Sequence, residues 1–131
     1  MISGTTSAIV PRYFASGLRQ MTENTPGAEL KPRNPYSASK AGAVALVKSL
    51  ALDLAGAGIT VNAVNPGWFD SPLTEPWQRN PRLEGEILDH VPLRRWGAAE
   101  ELTGAYLFLA SPAASYVTGS VITVDGGYEC T

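Results

Sequence analysis

At 131 residues with a net charge of −2, 17% charged and 44% hydrophobic side chains, the chain has the make-up of one soluble globular domain with a real core. That balance excludes a disordered chain, and it offers no basic stripe for nucleic acid and no basic amphipathic helix for a membrane surface. The one cysteine, Cys130, cannot close an internal disulfide. No apolar run nears the ~18 residues of a membrane span and residues 1–20 lack a signal-peptide pattern, so a cytoplasmic protein is expected.

In chain order, residues 1–10 are β-branched and hydroxyl-rich and read as a strand end and the loop leaving it. Residues 11–35 carry Pro11, Pro26, Gly27, Pro32 and Pro35 and read as a long loop, with one helical turn around Phe14–Met21. From Ser37 to about Ala55 a helix is predicted, capped by Ser37 and ended by Gly56 and Gly58. Ala43, Val47, Leu50 and Leu54 fall on one face, with Val44, Ala51 and Leu46 beside them. A helix so apolar calls for burial on two sides, against a sheet and against something else.

Ile59 to Asn65 is a β-branched run closed by Pro66-Gly67, which reads as a buried strand with a turn at its carboxyl end. Residues 68–97 are irregular, with four prolines and a short helix near Leu83–His90. A second helix is predicted from Ala98 to about Ala110, acidic at its start as the helix dipole prefers. Ser120 to Asp125 reads as a last strand, closed by Gly126-Gly127. Strands alternating with helices imply an α/β fold with a parallel sheet and right-handed crossovers, in a single domain over residues 1–131.

The chemistry is concentrated in Tyr36-Ser37-Ala38-Ser39-Lys40. A tyrosine and a lysine four apart on a helix share one face. An ammonium beside a phenol favours the phenolate, which makes a tyrosine usable as a general acid/base near neutral pH. The plainer alternative is a solvated surface pair. Context decides between them, and the context lies in three further stretches: Val61-Asn62-Ala63-Val64-Asn65-Pro66-Gly67, Pro92-Leu93-Arg94-Arg95-Trp96-Gly97 leading to Glu100-Glu101, and Gly119 to Gly127.

Together, in this order and spacing, these motifs resemble the short-chain dehydrogenases/reductases from residue 36 to residue 127. The resemblance implies a partial doubly wound, Rossmann-like parallel sheet of about three strands with two main helices. It implies an oxidoreductase moving hydride between NAD or NADP and a small-molecule carbonyl or alcohol. Tyr36 would be the catalytic acid/base. Lys40 would lower the Tyr36 pKa and hydrogen-bond the nicotinamide ribose. Pro66 and Gly67 would line the nicotinamide, the Phe69 backbone would meet its carboxamide, and Ser71 stands where members often carry a threonine.

The family also uses a hydroxyl at the preceding strand end. Aligning Ile2-Ser3 with that end puts Gly4 at the position, with Ser3 and Thr5 as neighbours, and a one-residue slip selects Thr5. The usual spacing back from the tyrosine lands instead on Glu23, hence the insertion over 11–35. The hydroxyls from Ser3 to Ser7 could equally make an ordinary turn. Residues 68–97 would form the substrate loop, and its Trp68, Phe69, Leu73 and Trp77 favour an apolar substrate or else a subunit contact.

Family members form homo-oligomers, which suits the apolar helix. Neither Gly56/Gly58 nor Gly126/Gly127 precedes a helix fit to cradle a pyrophosphate, so the family's nucleotide-binding half is expected to be missing from this chain. On that ground the isolated chain is expected to have little dehydrogenase activity. The alternative is a non-catalytic truncated form that keeps the assembly surfaces. Arg94, Arg95, Glu100 and Glu101 read as structural or surface charges, His90 as incidental, and no metal-ligand cluster is expected.

Overall fold

The structure of the protein, a computed structural model, describes residues 6–11 and 33–131. Three strands form one parallel sheet in the order β1-β2-β3: β1 is Thr6–Pro11, β2 Ile59–Pro66 and β3 Val121–Val124. The register pairs Thr6 with Ile59 and Pro11 with Val64 on one side of β2, and Ala63 with Val121 and Pro66 with Val124 on the other. The central place of β2 follows from its sequence, a near-continuous apolar and β-branched run that suits a strand covered on both faces. Every residue from Thr60 to Pro66 is buried.

Helix α1, Arg33–Ala55, joins β1 to β2. Its Val47 and Ala51 pack with Val61 and Ala63 of β2, and Val121 of β3 adds to this layer. On the opposite face Val64, Ile122 and Val124 meet Leu109 of α4, Thr103–Ala110, together with Ala114. The alternation of Val61 and Ala63 to one side and Val64 to the other is the period of two expected of a strand. Two short helices, α2 (Glu75–Gln78) and α3 (Pro81–Leu88), lie in the connection from β2 to α4.

Asn62, fully buried in β2, lashes the sheet to the approach of β3. Its Nδ2 donates to the Val117 carbonyl (2.9 Å), and its Oδ1 accepts from the Ser120 N–H (3.0 Å). Beside it the Thr118 hydroxyl accepts from the Val61 N–H at 3.1 Å. A buried amide satisfied at both ends stabilises as long as both partners remain, because stranding either one costs ~1–3 kcal/mol.

Several boundaries differ from those read in the sequence. The first strand comes later than a strand end within residues 1–10 would place it, and it runs through Pro11. Pro11 closes an edge strand, where a missing N–H costs no ladder bond. Helix α1 begins four residues before Ser37, so Ser37 is inside it and not its cap. Pro35 does not break the helix, since it sits in the first turn, where no intrahelical N–H bond exists to be lost. The rest of the 11–35 stretch, including the helical turn at Phe14–Met21, lies outside the described residues.

The helix expected over Ala98–Ala110 is divided: Ala99–Leu102 is a 3-10 turn, and only then does α4 begin. The Glu101 side chain reaches back to the Ala98 N–H (2.8 Å) while the Glu101 N–H bonds the Ala98 carbonyl (2.9 Å), which tightens that turn. Finally, among the described residues α1 is covered on one side only. Val47 is 1% exposed, whereas Leu46 and Leu52 stand 56% and 82% exposed.

Candidate active site

Parallel β1 and β2 with α1 between them require α1 to run back along the sheet, so its first turns lie at the carboxyl edge of the strands. Its last turn agrees, with Leu54 and Ile59 packed on the same cluster. Tyr36 and Lys40 both fall in α1, one turn apart, and therefore belong to that edge. The chain leaves β2 there through Pro66-Gly67. The Gly67 N–H donates to the Val124 carbonyl at 2.9 Å, and a side chain at Gly67 would put its Cβ 2.5 Å from the Asp125 Cα. Only glycine lets the two strand ends approach so closely.

Beyond this turn the backbone is pinned in an extended stretch against Gly97. The Gly97 N–H donates to the Trp68 carbonyl (2.9 Å) and the Asp70 N–H to the Gly97 carbonyl (2.8 Å), forming a parallel bridge centred on Phe69. Phe69 is 6% exposed, and its ring fills the space a side chain on Gly97 would need. The Phe69 carbonyl accepts from the Thr74 hydroxyl at 2.7 Å. Among the described residues, the Phe69 N–H donates to no acceptor. Among the described residues such an unpaired N–H in a buried residue is rare, and it leaves a donor that a water or a ligand can satisfy.

Trp68 is the centre of an aromatic cluster. Its ring meets Trp77 (centroids 6.1 Å apart), Trp96 (5.8 Å) and Tyr128 (6.2 Å), each edge to face. The Trp96 indole N–H is held by Glu84 of α3 at 3.0 Å. Tyr128 arrives on a turn that is itself tied to the strand ends. The Glu129 carboxylate accepts from Asn65 Nδ2 (2.6 Å) and from the Thr123 hydroxyl (3.0 Å). The Asp125 carboxylate accepts from the Gly127 and Glu129 N–H groups at 2.8 and 2.7 Å.

Below the loop a small cavity of about 90 Å³ is lined by Trp68, Phe69, Leu93, Arg95, Asp125 and Gly126, among others. Arg95 makes a two-pronged pair with Glu101, 2.7 Å at each prong. That hydrogen bonding, with the Ala98 N–H as a second donor, lowers the Glu101 pKa to about 2, and the same pairing raises that of Arg95. A carboxyl whose folded pKa is depressed contributes stability above its unfolded pKa, and the contribution disappears as pH falls through the folded value. Melting temperatures of the wild type and Glu101→Gln are therefore expected to differ most above about pH 5 and to converge toward pH 2. A difference constant across that range would show that the charge of Glu101 is not involved.

Of the residues singled out from the sequence, Pro66, Gly67, Phe69 and Ser71 share the carboxyl edge of the sheet, to which the topology also assigns Tyr36 and Lys40. Thr5 lies outside the described residues, and the carboxyl end of β1 is made by Val10 and Pro11. Arg95 and Glu101, read as structural or surface charges, pair at the surface and also border the cavity. His90 is exposed, with Nδ1 2.8 Å from the Glu86 carbonyl. Among the described residues no group of three metal-ligating side chains occurs, and no helix is long and apolar enough to cross a membrane.

Sequence reasoning missed Thr74 and Glu129 as members of this edge, and with Glu129 the partner of Asn65. Thr74 had a local signal, because Ser71-Pro72-Leu73-Thr74 is a hydroxyl-rich turn of the kind whose side chains bond nearby backbone. Glu129 had none, since its partner is 64 residues away.

Comparison with known proteins adds to this geometry. A family model described as enoyl-(acyl carrier protein) reductase matches residues 22–129. Galactitol 2-dehydrogenase (L-tagatose-forming) of Cereibacter sphaeroides is 46% identical over 93 residues, covering 71% of this chain and 37% of that protein. The 3-oxoacyl-(acyl-carrier-protein) reductase of Thermotoga maritima is 48% identical over 92 residues, 70% of this chain and 37% of the relative. A gluconate 5-dehydrogenase from Burkholderia cenocepacia, solved with NADP and tartrate, superposes with a TM-score of 0.81 at 29% identity, covering 98% of this chain and 46% of that one. The chain thus matches little more than a third of the length of these curated relatives and about half of the solved structure.

Proposed function

We propose, for a chain that belongs to the short-chain dehydrogenase/reductase family, that it carries the acid/base and nicotinamide-facing part of an NAD(P)-dependent oxidoreductase site. The reaction is hydride transfer between the nicotinamide and a carbonyl/alcohol pair. The observation that carries this reading is the N–H of buried Phe69, which has no partner among the described residues and lies on the same sheet edge as Tyr36 and Lys40. The cofactor, NAD or NADP, supplies the ring that exchanges hydride.

This chain's own residues do the rest. The Phe69 N–H donates to the carboxamide oxygen, which an N–H freed from all other bonds can do at no loss. Pro66 would offer its pyrrolidine ring and Gly67 its bare backbone to the nicotinamide, and Ser71 would add a hydroxyl. Tyr36 gives its phenolic proton to the substrate oxygen during carbonyl reduction and takes one from the alcohol in the reverse direction. The Lys40 ammonium favours the phenolate form and holds the ribose hydroxyls.

The test is a titration of the purified chain with NADPH and with reduced nicotinamide mononucleotide, followed by tryptophan fluorescence, to which Trp68, Trp77 and Trp96 all contribute. Saturable binding is expected, together with slow oxidation of the reduced nucleotide, far below an ordinary dehydrogenase rate, by some member of a panel spanning 3-oxoacyl thioesters and ketoses. No binding of either nucleotide at millimolar concentration would overturn the reading. A second, non-catalytic reading is favoured by Leu46 and Leu52, which stand exposed on α1 and suit self-association through that face. It predicts oligomers by sedimentation, with no nucleotide bound.

A further inference from the structure

We infer that Thr74 is a positioning residue that aims the Phe69 N–H, an inference that rests on the reading above. The two peptide planes flanking Phe69 are each pinned at both ends or left open in one place only. In the first, the Trp68 carbonyl is held by Gly97 and the Phe69 N–H, pointing the other way across a trans peptide, is open. In the second, the Asp70 N–H is held by Gly97 and the Phe69 carbonyl is held by Thr74 Oγ1 at 2.7 Å. Among the described residues Thr74 is the only side chain that bonds either plane.

The Thr74 hydroxyl is also fully committed. It is in a residue 4% exposed, and a hydroxyl has one proton to give and two lone pairs. The proton goes to the Phe69 carbonyl, the shortest of its contacts. The lone pairs face the Ser71 N–H (3.0 Å) and Gln78 Nε2 (3.0 Å). The Ser71 carbonyl (3.0 Å) and Ser71 Oγ (3.1 Å) lie within reach as well. Gln78 Nε2 in turn bonds Asp70 Oδ1 at 3.0 Å, which closes a ring of contacts around the loop. One oxygen therefore fixes the backbone on both sides of Asp70 and sets where the Ser71 hydroxyl stands.

Thr74→Val keeps the branched shape and removes the oxygen. It leaves the Phe69 carbonyl and the Ser71 N–H without their buried partner, so the loop must move to satisfy them. The dissociation constant for reduced nicotinamide mononucleotide is expected to rise about 10-fold or more in Thr74→Val. Thr74→Ser, which restores the oxygen, should return it to within about 3-fold of the wild type.

General loosening is separated from positioning by Asn62→Ala, which loses buried hydrogen bonds to the approach of β3, at the amino end of that strand and not at the carboxyl edge that carries this loop. It should lower the melting temperature with the dissociation constant unchanged. Thr74→Ala makes the same measurement if the valine variant does not fold. Wild-type affinity in Thr74→Val, a serine variant as weak as the valine one, or an equal loss in Asn62→Ala would each overturn the inference. If the wild-type chain binds neither nucleotide, the proposed function fails and this inference falls with it, whereas the three preceding outcomes leave that function standing.

Discussion

Replacing Tyr36 by phenylalanine is expected to slow carbonyl reduction by about 10²–10⁴-fold, whatever rate the wild-type chain supports. The substitution removes one oxygen and keeps the ring, so the helix that carries it is not perturbed. What is lost is the group that delivers a proton to the oxygen receiving negative charge. The affinity for NADPH should stay within about 2-fold, because Phe69 and the Pro66-Gly67 turn remain in place. Single-turnover kinetics with a fluorescence binding isotherm separate the two effects. A phenylalanine variant reducing substrate at the wild-type rate would move the proton donor elsewhere on this edge.

The largest loss of stability is expected at Gly67. An alanine there places its Cβ 2.5 Å from both Cα and Cβ of Asp125 and 3.0 Å from the Asp125 carbonyl oxygen. Two of these are backbone atoms and the third, Cβ, is fixed to them, so none can rotate out of the way as the end of a long side chain could. Relief requires Asp125 to move, and Asp125 caps the turn that brings Tyr128 onto Trp68. Gly67→Ala should cost about 2–3 kcal/mol and lower the melting temperature by roughly 5–15 °C. Gly85 in α3 is the internal control, since a Cβ there meets nothing within 4 Å. Gly85→Ala should be neutral or stabilising by up to ~1 kcal/mol. Equal melting temperatures for the two variants would show that the strand ends yield more easily than their packing suggests.

The elements that local pattern defines were legible in the sequence. The run Ile59 to Asn65 declared a buried strand because β-branched and apolar residues continue without a break, and the strand extends only one residue further. The end of α1 at Ala55 was legible because Gly56 and Gly58 follow it, and Gly58 does adopt a positive φ of 72°. The start of α1 was not, because Pro35 has the same appearance in a loop and in the first turn of a helix.

The candidate site was legible in part for the same reason. Tyr36, Lys40, Pro66 and Gly67 belong to contiguous motifs. Thr74, Asn65 and Glu129 act through partners chosen by the folded chain. The Asn62 bond to Val117 spans 55 residues, and no periodicity within a helix or strand encodes such a pairing.

The bond between Asn65 and Glu129 has a consequence for the nascent protein. Synthesis at ≈ 5–20 residues per second separates the appearance of these two side chains by roughly 3–13 s, given the 64 residues between them. For those seconds β2 has been made while β3, its parallel neighbour, has not. An apolar strand with an open edge is a template for another chain, and so an early customer for a chaperone. Arrival of Val121 to Glu129 covers that edge and supplies the Glu129 partner of Asn65 together, so the open edge and the unfinished carboxyl rim last equally long.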